Sequence, residues 1–321
     1  MNAGSSVPYK LRPNKAVDRE LFLSLLSRLA PALALEGHHY IGLGGSFLED
    51  FRLVHARLDV ERMTSVETEE EVHKRQLFNR PTASVECLHS SLEDYLDAHD
   101  FERPAIIWFD YTVPKPVEQI ERFARTVGEV KLNSVLRLTL NAQPSALGEP
   151  NPKLSGEALW EWRLEKFKDG FGSLCPTDIT AAGMRKKTYG PSILRALRLA
   201  VEKEVLSHSD RKVVWALSTH YADGQPMVTA TLVVCAASDT VIELLVKGWK
   251  FYSPPGEPLR IDLPALSTLE RLTLERLTME SNEDAKTKLG FELPEAGLGE
   301  DPFEVFKRFY RIYPHFSRVE L

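Results

Sequence analysis

The sequence is short of cysteine: Cys87, Cys175 and Cys235 are the only three in 321 residues. They lie far apart, are odd in number and belong to no Cys-x-x-Cys or Cys/His pair. That excludes a disulfide framework and a structural zinc site, and points to a reducing compartment. Long apolar runs are missing too, because Glu243 and Lys247 interrupt the best candidate for a membrane span. The first thirteen residues are polar, with no apolar stretch after a basic start, so no secretory leader is expected and a cytoplasmic, soluble protein is. A surplus of positive charge is absent: the net charge is -6, which speaks against a general grip on nucleic acid or an anionic membrane. His38 and His39 are adjacent but no further ligand stands at a suitable spacing, so no metal is expected. Internal repeats and long low-complexity tracts are also lacking.

What is present begins with Tyr40-Ile41-Gly42-Leu43-Gly44-Gly45-Ser46-Phe47, a short apolar strand running into a glycine-rich turn. About twenty residues later a second strand, Met63-Thr64-Ser65-Val66, ends in Glu67. A turn that lets a ligand approach the backbone, followed by an acid placed for ribose hydroxyls, is the pattern of a nucleotide-cofactor site on a Rossmann-like sheet. A glycine turn that holds no ligand is the competing reading.

Strands and helices alternate through the first half of the chain. Residues 1–16 read as an arm and 17–35 as a helix with Leu21, Leu25, Leu29 and Leu33 on one face, kinked at Pro31. Strands are predicted at 40–43, 63–67, 84–88, 104–109 and 131–140, with helices at 47–58, 69–78, 92–98 and 117–127 between them. Thr68 and Glu71 are placed to form a capping box at the helix over 69–78. This rhythm predicts parallel βαβ units, whose ligands bind outside the carboxyl ends of the strands. Gly44, Glu67, Ser90 and Asp110 all fall there. Beyond a turn-rich linker at 143–152, an insertion over about 150–210 carries helices at 156–168 and 191–206. Two β-rich runs, 212–221 and 227–235, then join through Ala222-Asp223-Gly224-Gln225, a strong hairpin signal. A further strand is predicted at 240–246. These parts make one Rossmann-like domain over 17–246, with five parallel strands closed by an antiparallel hairpin. A helical extension over 247–321 follows, with helices at 266–279 and 303–313.

A parallel sheet closed in this way resembles the class I S-adenosylmethionine-dependent methyltransferase fold. Five segments sharpen the likeness: Gly44-Gly45-Ser46-Phe47-Leu48-Glu49-Asp50-Phe51, Ser65-Val66-Glu67, Phe78-Asn79-Arg80-Pro81, Trp108-Phe109-Asp110-Tyr111 and His220-Tyr221-Ala222-Asp223-Gly224. Together they resemble a bacterial family of O-methyltransferases. The resemblance implies S-adenosylmethionine as cofactor. Gly42, Gly44, Gly45 and Ser46 would form its turn, Glu67 would take the ribose hydroxyls, and Ser90 or Ser91 with Leu92 would lie by the adenine. Asp110 would orient the substrate or accept its proton. Two positions depart from the pattern. Gly42 stands where an acid usually holds the cofactor's methionine end, and Ser46 stands where a third glycine is common. Glu49 or Asp50 is a candidate to hold the cofactor instead.

Each of these residues also has a plainer reading. Asp110 can cap the turn that leads to Pro114 and Pro116, and Glu67 can be a helix-start acid stabilised by the dipole. Ser90 and Ser91 can be N-caps. Asp50 reads as a partly exposed helix acid and His220 as structural. Arg185-Lys186-Lys187, with Arg195 and Arg198 beyond, could meet a phosphate-bearing substrate, but reads better as a solvated face. Trp160 and Trp162 read as packing within the insertion. The leading expectation is an S-adenosylmethionine-dependent, O-directed methyltransferase whose acceptor is a small molecule or a protein. No Asn/Asp-Pro-Pro-aromatic motif is present, which argues against amino-methylation of DNA. The alternative is a catalytically degenerate scaffold of the same fold that binds a nucleotide-type ligand or a protein partner. NAD-dependent oxidoreduction is disfavoured by the hairpin after strand five. Oligomeric state is left open.

Overall fold

A computed structural model describes residues 12–294 and 297–314 of the chain. Most of the arm expected at the amino end lies outside those residues. Within them the first helix, α1 (Pro13–Leu33), starts earlier than predicted, with proline in its first turn where no N–H is needed. Pro31 is accommodated within its last turn. Val17, Leu21, Phe22, Leu25, Leu26 and Leu29 are completely buried, and each such side chain stabilises the packing by about 1.5–3 kcal/mol. The same helix also buries Asn14, Lys15, Asp18 and Arg19.

The chain then alternates as predicted: β1 (His39–Gly42), α2 (Glu49–Leu58), β2 (Arg62–Glu67), α3 (Glu70–Asn79), β3 (Val85–His89), α4 (Leu92–Ala98), β4 (Ala105–Asp110), α5 (Pro116–Glu129) and β5 (Val135–Asn141). The insertion supplies α6 (Gly156–Phe171) and α7 (Tyr189–Val205), and the hairpin supplies β6 (Arg211–Asp223) and β7 (Gln225–Ala236). Strand order is β3-β2-β1-β4-β5-β7-β6, with β7 antiparallel to both neighbours and the rest of these strands parallel. This is the expected arrangement of five parallel strands closed by an antiparallel hairpin. Asp223 and Gln225 pair directly around Gly224, whose φ of 95° only glycine adopts readily.

Two differences from the prediction concern the carboxyl-terminal third. Residues 240–246 are not a strand but belong to a helix, α8 (Val241–Lys247). Asp239 starts it by accepting the N–H groups of Val241 and Ile242, and Ile242 and Val246, one turn apart, are buried. The place beside β6 is instead filled by β8 (Leu259–Ile261), which comes from the extension and runs parallel to β6. The extension continues as α9 (Thr268–Arg276), α10 (Asn282–Leu289) and α11 (Pro302–Phe309). Phe303, Phe306 and Phe309 are buried in the core, and the Tyr313 hydroxyl donates to the Pro264 carbonyl at 2.7 Å, so the aromatic tail covers the core.

Apolar side chains fill both faces of the sheet. One core joins α1, α2 and α8 and the extension to the sheet. The other joins α4, α5, α6 and α7 to its opposite face. No helix among the described residues is long and apolar enough to cross a membrane.

Candidate cofactor cleft

The site lies at the carboxyl ends of β1 to β4. Leu43 leads out of β1 into Gly44 and Gly45, with φ of 66° and 55°. A Cβ on Gly44 would stand 2.5 Å from Leu48 Cδ2 and 2.7 Å from Ser65 Oγ, so only glycine fits. The turn is held from outside by α3. Gln76 Nε2 donates to the carbonyls of Leu43 (2.8 Å) and Gly45 (3.1 Å), and Asn79 Nδ2 donates to Ser46 (2.8 Å). Through these bonds the end of α3, leading into the Phe78-Asn79-Arg80-Pro81 segment, fixes the loop. Leu48 adopts a left-handed conformation, and α2 therefore begins at Glu49, two residues later than the pattern suggested.

A cleft of about 330 Å³ opens beside this turn. Gly45, Glu67, Ser90, Ser91 and Asp110 line it, together with the apolar Leu43, Val72, Leu92 and Val113. Five of the eight site residues expected from sequence thus meet in one space. The other three do not line it. Gly42 is the last residue of β1, Gly44 shapes the turn, and Ser46 is buried with its hydroxyl unpartnered among the described residues.

Glu67 ends β2, and its Oε1 accepts the N–H of Glu69 at 2.9 Å. Thr68 caps nothing: Glu69 precedes α3 with no side-chain cap, so the capping box is not formed. Glu67 therefore serves the helix start while also facing the cleft. Ser91 caps α4 by accepting the Asp94 N–H at 2.9 Å, whereas Ser90 donates to the Ser91 carbonyl. Tyr111, the last residue of the Trp108-Phe109-Asp110-Tyr111 segment, and Glu93, which the sequence did not single out, both line the cleft and share a 2.6 Å hydrogen bond. Burial first, then this bond, pushes the Tyr111 hydroxyl far above its ordinary range, so it stays a donor.

Asp110 is not free. Its Oδ2 accepts from Lys15 Nζ of α1 at 2.9 Å, and both side chains are almost wholly buried. Its Oδ1 is buried without a hydrogen-bond partner among the described residues. Burial pushes the Asp110 carboxyl up, but Lys15, then Arg19, outweigh it, and the group is held below the usual carboxylate range. Next to it Arg19 pairs with Asp50 through Nε and with Glu49 at 3.1 Å. Both acids raised as substitutes for the one missing at Gly42 are thus engaged by Arg19, and neither lines the cleft. Asp50 is buried rather than partly exposed, and burial, opposed by Arg19, raises its carboxyl. The space beside Gly42 holds the Tyr40 hydroxyl, 3.7 Å from where a Cβ would stand.

Behind this cluster Asp18 and Arg137 form a completely buried pair at 2.6 Å. Arg137 also donates to Thr231 (2.7 Å) and Thr229 (3.1 Å) and stacks on the rings of Phe22 and Trp108, while Asp18 accepts from Thr219 at 2.6 Å. Such hydrogen bonding offsets the cost of dehydrating both ions. Asn14 completes the docking of α1, donating to the Ala222 carbonyl and to Asp223 and accepting the Leu263 N–H. None of Lys15, Asp18 and Arg137 was singled out from sequence. Buried charges at helix spacing on an otherwise apolar stripe were the available signal.

The remaining candidates lie apart. His220 is buried, with both ring nitrogens unpartnered among the described residues. Burial, then the charge of Arg260, lowers its pKa to about 4, so it is neutral. His38 and His39 are buried and bond to Asn133 and Thr64. Arg185 stacks on Trp160, Arg195 pairs with Asp178, and Arg198 pairs with Glu202.

A family profile described as "Putative O-methyltransferase" matches residues 7–321. The chain belongs to that family. Among solved structures this O-methyltransferase-family chain aligns with Trm1 from Pyrococcus horikoshii in complex with S-adenosyl-L-methionine, at 14% identity and a TM-score of 0.47. That alignment covers 73% of this chain and 58% of that one, so the chain spans less than two thirds of Trm1. It also aligns with the plantazolicin methyltransferase BpumL in complex with S-adenosylhomocysteine (8% identity, TM-score 0.38, 68% and 84% covered). A structure described as "Putative methyltransferase yhhF from Escherichia coli" aligns at 11% identity and a TM-score of 0.35, with 67% and 84% covered. No curated protein matches the chain.

Proposed function

We propose that the protein is an S-adenosylmethionine-dependent O-methyltransferase acting in the cytoplasm on a small molecule or a protein. The observation that carries this reading is the single cleft joining Gly45, Glu67, Ser90, Ser91 and Asp110 at four successive strand ends. The residues fit the cofactor. Glu67 is an acceptor-only group suited to two ribose hydroxyls. Leu92 and Val72 offer an apolar slot for the adenine beside Ser90 and Ser91. The Gly44–Gly45 turn exposes backbone to the cofactor's methionine end.

When bound, S-adenosylmethionine supplies an electrophilic methyl group on a sulfonium. What the chain itself must do is align an acceptor oxygen and exclude water. Asp110, held as a carboxylate, can take the proton from that oxygen. The net charge of -6 and the pairing of Arg195 and Arg198 with acids favour an acceptor other than nucleic acid.

Calorimetry with S-adenosylmethionine, S-adenosylhomocysteine and NAD tests the reading. Both adenosyl compounds should bind and NAD should not. Glu67→Gln should weaken binding about 10- to 100-fold, the worth of a hydrogen bond to a charged group. Failure of both adenosyl compounds to bind would leave the scaffold alternative, which the glycine at position 42 favours.

A further inference from the structure

Resting on the reading of the cleft as a methyl-transfer site, we propose that Lys15 is a positioning residue that keeps Asp110 an ionised, fixed proton acceptor, so that the first turn of α1 is part of the catalytic apparatus. Asp110 lines the cleft at the end of β4, and one of its oxygens is bound by Lys15 at 2.9 Å. That contact fixes the carboxylate's rotation, and Oδ1 makes no hydrogen bond of ordinary geometry among the described residues, with the Thr139 hydroxyl as its neighbour. An unpartnered carboxylate oxygen in a dehydrated space costs free energy unless something uses it. An acceptor hydroxyl delivering its proton is such a use.

The electrostatic logic points the same way. A buried carboxyl away from cations takes up a proton and can then no longer accept one. The groups bearing on Asp110 are Lys15 and Arg19 from α1, Asp50 from α2, Tyr40 from β1, Tyr221 from β6 and the Thr139 hydroxyl from β5. Asp50 opposes ionisation and is itself engaged by Arg19, so Lys15 is the cation that decides the balance at Asp110. Nothing in the apolar packing of α1 calls for a lysine at this position. Leu21, Leu25 and Leu29 already bury the helix's stripe. What this lysine supplies at the sheet's carboxyl edge is the ion pair with Asp110.

Carbon-13 NMR of carboxyl-labelled aspartate in the full chain reads this directly, with the Asp110 signal assigned by its loss in Asp110→Asn. In the wild type the signal should titrate below the usual aspartate range. In Lys15→Met it should move up by about 1–3 pH units, the effect of an adjacent opposite charge, and Lys15→Arg should restore it. An Asp110 signal unmoved by Lys15→Met, or one that titrates at or above the ordinary range in the wild type, would overturn the proposal. Should Lys15→Met fail to fold, Lys15→Gln removes the charge while keeping a donor, and the wild-type titration still decides. No cofactor enters this experiment. It can therefore fail while S-adenosylmethionine binds the wild type, or succeed while it does not, and the two readings are tested separately.

Discussion

The carboxyl edge of the sheet has two unlike halves. Over β1 to β3 it is open: a glycine turn, Glu67 and the Ser90–Ser91 pair face a cleft, and the bonds that hold them are local or come from the neighbouring α3. Over β4 to β6 it is closed by α1, which inserts Asn14, Lys15, Asp18 and Arg19 among groups that lie up to 249 residues away in sequence. The open half is a cleft of about 330 Å³. The closed half holds a buried charged network beside it, with Asp110 at the border between the two.

Breaking the closed half should have the largest effect. Asp18→Ala leaves the Arg137 guanidinium buried without its counter-ion, and should cost about 3–5 kcal/mol in urea unfolding. A loss near the roughly 0.5 kcal/mol of a surface site would show that the network is not a structural unit. The next effect is pH-dependent. His220 is neutral in the fold with a pKa of about 4, against an ordinary 6.5 in the unfolded chain. Its contribution is complete above pH 6.5 and falls as pH drops towards 4, by up to about 1.4 kcal/mol per pH unit. His220→Leu should flatten that acid slope, and an unchanged slope would assign it elsewhere. The smallest of the three lies in the open half. Gly44→Ala forces a left-handed alanine against Leu48 and Ser65, at a cost of about 1–3 kcal/mol. S-adenosylmethionine binding should suffer more than stability, which a melt and a titration on the same sample would separate.

The same division governs what could be read from sequence. The open half was legible because its chemistry is local. Glycines where φ must be positive, an acid at a strand end and a serine before a helix are each visible within a few residues. Thr68 and Glu71 were misjudged there, since Glu67 supplies the acceptor one residue earlier. The closed half was not legible because its partners are distant. Nothing near Lys15 announces Asp110, and nothing near Asp18 announces Arg137. Residues 240–246 failed for a related reason. Their apolar content suits a strand, but the seat beside β6 belongs to residues 259–261. Asp110 was singled out from sequence and lines the cleft, whereas its buried partner Lys15 was not singled out.

The hydrogen bonds of α1 also set an order of events during synthesis. Asp18 meets Thr219 across 201 residues and Asn14 meets Leu263 across 249. At roughly 5–20 residues per second, Asn14 and Asp18 leave the ribosome on the order of ten to fifty seconds before these partners exist. Through that interval Asn14 and Asp18 lack these partners, whereas Arg19 can already meet Glu49 and Asp50. This helix is thus fully seated only after the hairpin and β8 have followed it.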